Sequence, residues 1–283
     1  LWGEKLFQLL GYDHEFKVLA GELKGEVSLL LRRGQVNLDR TRLEFTASRW
    51  QVAALPYPLV DLNADVTVSS TGVTVQNFQG RYREGQISLY GSLAATSLGL
   101  DLNLEATGQN LADWTSLIPQ LAEWAPAGLV DLNLQIAGEI SAPHLAGEVR
   151  IMNGRLALPQ FSVTLEDLRL FARLSSDGVH LSFLEGRIGE APFFLQGEIL
   201  GVQDPTLNLQ GEIKQFPIEK LNLPGFPPTR GLVEGAVHVS GRLSAPEIKG
   251  ELSADQLMVE GTALQELKLA GIYRWPTDQL KID

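Results

Sequence analysis

The sequence predicts an all-β chain, a repetitive antiparallel sheet carrying one or two short helices. Three observations carry this. Apolar and polar residues alternate over most of the length, turn-forming triplets punctuate the alternating runs, and the text repeats at offsets of 103 and 106 residues. Alternation sends every second side chain to one face, as in a strand with one apolar and one wet side. Closely spaced turn signals join such strands into hairpins. Long self-similarity marks an array in which each copy leans on its neighbours.

The repeat is read from residues. Gly25, Gly128 and Gly231 stand 103 apart, and Gly128-Leu-Val, Gly138, Ser141-Ala-Pro143 and Gly147-Glu return as Gly231-Leu-Val, Gly241, Ser244-Ala-Pro246 and Gly250-Glu. A second block runs at 106: Ser69-Ser70, Gly72-Val73, Gly80-Arg81, Glu84 and Gly91 return as Ser175-Ser176, Gly178-Val179, Gly186-Arg187, Glu190 and Gly197. The division expected is a partial unit at 1–24, repeats at 25–127 and 128–230, and a partial repeat at 231–283, all in one continuous sheet. A repeat cut at both ends leads us to expect a piece of a longer protein, with any targeting segment outside it.

The strands follow from the alternation. Val66 and Val68 lead into Val73 and Val75 across Ser70-Thr71-Gly72, and Leu100, Leu102 and Leu104 alternate with Asp101, Asn103 and Glu105. Val130, Leu132, Leu134 and Ile136 interleave with Asp131, Asn133 and Gln135. Leu168 with Leu170, Leu207 with Leu209, and Val237 with Val239 keep the same period. Turns are expected at Arg83-Glu84-Gly85, Asn153-Gly154, Ser176-Asp177-Gly178 and the two Ser-Ala-Pro triplets. In the segments Gly138–Gly147 and Gly241–Gly250 the proline is read as presetting a tight turn.

One stretch changes period. Leu111, Trp114, Ile118, Leu121 and Ala125 have helical spacing, with Asn110 placed to cap the first turn, Asp113 favourable to the dipole, and Pro119 set to split the helix. Its counterpart, Phe216 to Pro228, is proline-rich and has room for at most one turn. The total is about 18 strands. A sheet of that size rarely stays open and flat, so its apolar face must be covered by the sheet itself or by something the chain does not encode.

Composition narrows the function. Lys and Arg number 23 against 34 Asp and Glu, giving a net charge of −11. That disfavours nucleic acid and simple adsorption to anionic lipid surfaces, both of which need clustered cations. Cysteine is absent, so no disulfide or thiolate metal site exists. No signal peptide and no apolar run long enough to span a membrane occurs. His14, His144, His180 and His238 lack metal-ligand spacing, and no nucleophile elbow or phosphate loop is present. Glu166 and Asp167 occupy adjacent strand positions that point to opposite sides, and Trp50, Trp114 and Trp124 are scattered as core or helix anchors are. No catalytic residue, metal site or cofactor is expected, and the chain is read as no enzyme.

The run Gly128-Leu-Val-Asp-Leu-Asn-Leu-Gln-Ile-Ala-Gly-Glu-Ile-Ser-Ala-Pro-His-Leu-Ala-Gly-Glu-Val-Arg-Ile-Met-Asn-Gly154, followed by Leu156-Ala-Leu-Pro159 and Leu165-Glu-Asp-Leu168, resembles the repeat of the TamB-like translocation and assembly proteins of the AsmA-like superfamily. The resemblance extends from Gly21 to the C-terminus, although Gly138 and Pro143 lack counterparts in the first copy, where Gln35 and Arg40 stand. It implies an elongated sheet curled like a folded taco into an open hydrophobic groove. It also implies the periplasm as location, within a protein anchored in the inner membrane by a segment outside this sequence. The function implied is a bridge that conducts phospholipid or fatty-acid acyl chains between inner and outer membranes, with no nucleic-acid partner and a monomeric segment.

On that reading the groove lining is Val66, Val68, Val73, Val75, Leu102, Leu104, Val130, Leu132, Leu134, Ile136, Leu168, Leu170, Leu207, Leu209, Val237 and Val239. The bland alternative is that these side chains pack on a facing sheet as a sandwich core. Two functional rivals stand beside the bridge: a scaffold offering sheet edges to outer-membrane β-barrel proteins, and a structural β-repeat stalk.

Overall fold

The computed structural model describes residues 16–32, 35–53, 55–116, 119–159, 163–201, 204–220, 228–274 and 279–282. His14 and most of the expected partial unit 1–24 lie outside them. The chain is all-β. Strands run β1 (Phe16–Arg32), β2 (Gln35–Val52), β3 (Leu59–Ser69), β4 (Gly72–Tyr82), β5 (Gly85–Ala94), β6 (Gly99–Asn110), β7 (Ala127–Glu139) and β8 (Ala142–Leu158). They continue as β9 (Val163–Ser175), β10 (Gly178–Ile188), β11 (Ala191–Leu200), β12 (Thr206–Pro217), β13 (Thr229–Arg242), β14 (Ala245–Val259), β15 (Thr262–Arg274) and β16 (Gln279–Ile282). Spatial order follows chain order from β1 to β16, and the first and last strands do not pair, so the sheet is a meander and no barrel closes. Among the described residues there are sixteen strands where about 18 were expected, and several run to 17 or 18 residues, longer than turn signals suggest.

The chain forms two compact units, 1–119 with 130–147 and 120–129 with 148–283. The repeat is visible in the element starts. Strands β4 and β5 begin at Gly72 and Gly85, and β10 and β11 at Gly178 and Ala191, an offset of 106 in both pairs.

Bulges recur at the same offset. Ala47 and Asp61 have left-handed φ of 46° and 51°, and their counterparts Asn153 and Asp167 have 52° and 52°; the hairpin-turn residues Arg83 and Gly189 match likewise, at 53° and 62°. In β2 three steps from Phe45 to Ser48 face two steps from Ala64 to Leu62, one extra residue. In β9 three steps from Glu166 to Arg169 face two from Arg187 to Glu185. Such an insertion bends the strand and re-aims the side chains that follow it.

This corrects three expectations. Asn153-Gly154 is no hairpin turn: Asn153 is a left-handed residue inside β8, a role Asn fills as readily as a turn because its side chain tolerates that conformation. The glycine matching Gly128 in the first copy is Gly21 rather than Gly25. Gly21, Gly128 and Gly231 have φ of 120°, 124° and 138°, and a Cβ on them would meet Ser48, Gly154 and Leu257 of the adjoining strand, whereas Gly25 has an ordinary φ and only Leu43 nearby. The prolines of the Ser-Ala-Pro triplets do not preset turns. Ile140-Ser141 and Leu243-Ser244 make the turns, and Pro143 and Pro246 are second residues of β8 and β14, a strand-start position where a missing N–H is tolerated.

The helical stretch contains two 3₁₀ turns, Leu111–Ser116 and Pro119–Trp124, and the residues just before Pro119, where the split was expected, lie outside the described residues. Asn110 caps the first by accepting the Ala112 N–H at 3.0 Å. Asp113 accepts from Arg83 Nη1 at 2.6 Å, fixing this turn to the β4–β5 hairpin. In the second copy the described residues hold one 3₁₀ turn, Ile218–Lys220. Its Glu219 accepts the Gly231 N–H at 3.3 Å, and backbone N–H groups hold its carboxyl below the usual range.

Each unit has one core, on the bulge side of its strands. In the first, Leu43, Phe45, Trp50, Leu59, Leu62, Ala64 and Tyr82 form it, with Trp50 edge-on to Phe45 at 4.9 Å and to Phe78 at 6.0 Å. In the second it is Ala191, Phe216, Val233, Ala254 and Leu257. Leu62 is fully buried, so Leu62→Ala is expected to cost about 2–5 kcal/mol. Val68→Ala, on a half-buried position, should cost about 1 kcal/mol or less. Urea unfolding of the two variants checks the contrast.

A second prediction concerns Gly197 (φ 138°), whose added Cβ would land on the Asn208 carbonyl and 2.8 Å from Leu209 Cα. Gly197→Ala should destabilise by at least about 1–3 kcal/mol. Gly250→Ala, with nothing closer than 4.0 Å and an ordinary φ, should fold normally by thermal melting.

Candidate functional site

Residues that pair across an antiparallel ladder share a face, so the register fixes what each face carries. In the first unit one cross-strand row reads Leu43, Val66, Val75, Gly91, Leu102 from β2 to β6. The row beside it reads Phe45, Ala64, Phe78, Leu89, Leu104. On the other side lie Thr41, Val68, Val73, Leu93, Leu100. These rows contain no charged residue.

The opposite face of the same strands reads Arg42, Thr67, Thr74, Ser92, Asp101. It bears ion pairs such as Arg42 with Asp65 and Arg81 with Asp61. Pairs this exposed contribute little to stability.

The second unit repeats the pattern over more strands. Ala172, Leu181, Gly197, Leu209, Val239, Ile248 form one row from β9 to β14. Leu170, Leu184, Leu195, Gly211, Val237, Gly250 form the next. Phe193, Ile213, Gly235, Leu252, Leu269 continue it toward the core. The reverse side reads Arg173, His180, Glu198, Asn208, Ser240, Glu247.

The structure therefore places Val66, Val68, Val73, Val75, Leu102 and Leu104 together on the apolar face of the first unit. It places Leu170, Leu207, Leu209, Val237 and Val239 together on that of the second, with Leu168 beside Gly186 on the same side. Val130, Leu132, Leu134 and Ile136 share one face of β7. Of the sixteen, Val130, Leu132, Leu168 and Leu207 are buried and the rest half-buried.

Sequence reading missed Phe78, Leu89, Leu93, Leu181, Leu184, Leu195 and Ile213. Bulges hide several of them. Between Leu181 and Leu184 the extra residue in β10 breaks the alternation, sending Phe183 to the polar face opposite Phe171. Asp167 likewise sits at a bulge and pairs with Arg187 at 3.1 Å, so the simple alternation assumed for Glu166 and Asp167 does not hold there.

Among the described residues the only helical elements are short 3₁₀ turns, so no helical layer lies on this face. Leu252 and Leu269, paired across β14 and β15, keep 43% and 38% of their surface exposed. Val27, opposite Thr41 on the apolar side of β1, keeps 58%. Concavities of about 560, 420 and 410 Å³ are lined by residues of both faces: the first joins Glu212, Glu234, Glu251 and Lys268 to Ile213, Leu252 and Leu269 of the apolar row.

Among the described residues no cluster of three or more His, Asp or Glu is arranged to hold a metal. Among the same residues no helix is long and apolar enough to cross a membrane. Trp50 is a core residue, and Trp114 and Trp124 sit in the 3₁₀ turns. Tyr82 is buried at the core edge, and its phenol is pushed above the ordinary value by burial first and then by the Asp113 carboxylate. No protein-family model, curated protein or solved structure matches this chain.

Tyr82 yields a pH prediction. A phenol with a raised folded pKa keeps its proton longer in the folded state. Its stabilisation is whole below the ordinary phenol value near 10 and falls as pH rises through the higher folded value. In a spectrophotometric titration at 295 nm, one tyrosine should ionise after the others, and Tyr82→Phe should remove that late phase. A late phase persisting in Tyr82→Phe would contradict the assignment.

Proposed function

We propose that the apolar face of this sheet holds lipid acyl chains, and that the chain is a segment of a periplasmic bridge carrying phospholipid between inner and outer membranes. The observation that carries the reading is the charge-free face itself, traced row by row across β2–β6 and β9–β15. Hydrocarbon suits such a wall, because the backbone beneath is occupied in the ladder and presents no bare polar group to it. Each methylene taken from water contributes about 0.8 kcal/mol, so tails several carbons long gain useful affinity without any one indispensable contact.

A wall of interchangeable Leu, Val and Ile residues also leaves a tail free to slide, as transfer needs. The resemblance of 128–168 to TamB-like repeats supports the direction of transport chemistry and the periplasmic setting.

The register supplies the test. A photo-crosslinking residue at Leu209 should label phospholipid in whole cells, and one at Asn208, on the polar face of the same strand, should not. Leu102 and Asp101 form the same contrast in the first unit. Equal labelling from both faces, or labelling from neither, would contradict the reading. Labelling of a β-barrel protein from an edge strand without lipid would favour the scaffold role instead.

A further inference from the structure

On the polar face the two copies agree at one ion pair and diverge beside it. The pair Asp61 with Arg81 returns 106 residues later as Asp167 with Arg187. At the same offset Arg42, Glu44, Asp65 and Thr67 become Glu148, Arg150, Phe171 and Arg173, and Asn77 becomes Phe183. The exchange inverts the charge pattern. In the first copy one cation lies between two carboxylates: Arg42 Nε donates to Asp65 at 3.1 Å, and its Nη2 lies 3.4 Å from Glu44. In the second, one carboxylate lies between two cations, Glu148 being 3.0 Å from Arg150 Nη2 and 3.4 Å from Arg173 Nε.

The second arrangement is organised around a ring. Both guanidinium carbons stand 5.2 Å from the centroid of Phe171, a distance at which the face of a ring attracts a cation. Phe183, the cross-strand partner of Phe171, has its ring 6.3 Å away. These two half-buried phenylalanines lie outside the core of their unit, on its wet face, where the first copy has Asp and Asn.

Glu148 engages each guanidinium through one nitrogen, and a guanidinium has five N–H donors. The Arg150 and Arg173 side chains keep 59% and 60% of their surface in solvent. Two positive charges against one negative leave the trio one positive charge in excess. The pairs around it are matched one to one: Arg169 with Glu185 at 2.8 Å, and His180 with Glu198 at 3.4 Å.

We infer that Arg150, Arg173 and the Phe171–Phe183 pair form a binding site for a singly charged oxyanion on an apolar stem, a carboxylate or a phosphodiester. The ring and Glu148 hold the two guanidiniums in place, and their outward N–H groups take the anion's oxygens, a geometry in which planar forks excel. The stem lies over the two rings and shields them from water. Charge balance sets the valence: one such group brings the trio to neutrality. The first copy, with two carboxylates to one guanidinium, has no place for it. The site is on the face opposite the acyl-chain wall, and its test stands apart from that reading.

The experiment follows the arginine Nε–H signals of the full chain by NMR in low salt, with hexanoate as the carboxylate probe and diethyl phosphate as the phosphodiester. Hexanol carries a stem without the charge. Hexanoate or diethyl phosphate should shift Arg150 and Arg173 saturably while Arg42 stays still, and the one that binds names the source. Glu148→Gln, which removes the competing carboxylate, should tighten binding about threefold to tenfold. Arg173→Gln should weaken it about tenfold, and Phe171→Asp, restoring the first copy's residue, should abolish it. Glu148 is on the surface, so Glu148→Gln decides the matter even where another variant fails to fold. No saturable shift with either anion, equal shifts with hexanol, equal shifts at Arg42, or unchanged affinity in Glu148→Gln would overturn the inference.

Discussion

A sheet face can stay apolar and uncovered only while the backbone under it is fully occupied in the plane of the sheet. Each bare amide turned toward hydrocarbon would cost several kcal/mol, enough to cancel the gain from several methylenes. Here the sequential order β1 to β16 leaves every strand from β2 to β15 with a neighbour on both sides. The alternation can then sort side chains cleanly, with Asn208 and Leu209 adjacent in sequence yet on opposite faces. Remove the ladder, and the same residues would be a collapsed apolar chain without a usable surface.

The bulges do the second job. Left-handed residues at Ala47 and Asp61, and again 106 residues later at Asn153 and Asp167, change the aim of the strand just before its packed end. Beyond Ala47 come Ser48 and Trp50, beyond Asp61 comes Leu62, and beyond Asp167 comes Leu168, all buried. Stability and surface are thus separated along each strand. The bulge end supplies a small aromatic-rich core, and the turn end supplies half-exposed aliphatic wall. The glycines Gly21, Gly128 and Gly231 belong to the same device, since each lies against the adjoining strand where a Cβ would collide.

Much of this was legible in the residues because alternation and repetition are local signals. Leu207, Leu209, Val237 and Val239 could be assigned to one face by counting alone, and the register confirms it. What could not be read depends on neighbours in space. The chemistry of Asn153-Gly154 is the same for a hairpin and for a bulge, and only the strand pairing decides between them. The proline of Ser-Ala-Pro looks like a turn residue, yet Ile140-Ser141 completes the turn before it. Leu184 was invisible because the extra residue ahead of it shifts its parity. Gly25 and Gly21 are the same residue type in the sequence, and what separates them is the φ of 120° at Gly21 and the closeness of Ser48 on the next strand. The proposed lipid role rests on resemblance, and the fold adds to it a charge-free wall.

Native mass spectrometry of the protein purified without added lipid tests that role most directly. The prediction is a set of masses above the bare chain, separated by phospholipid or fatty-acid increments, which collisional activation strips to the apo mass. A single bare mass under gentle conditions, together with no uptake of a fluorescent fatty acid by the same sample, would contradict the proposal that this face holds acyl chains.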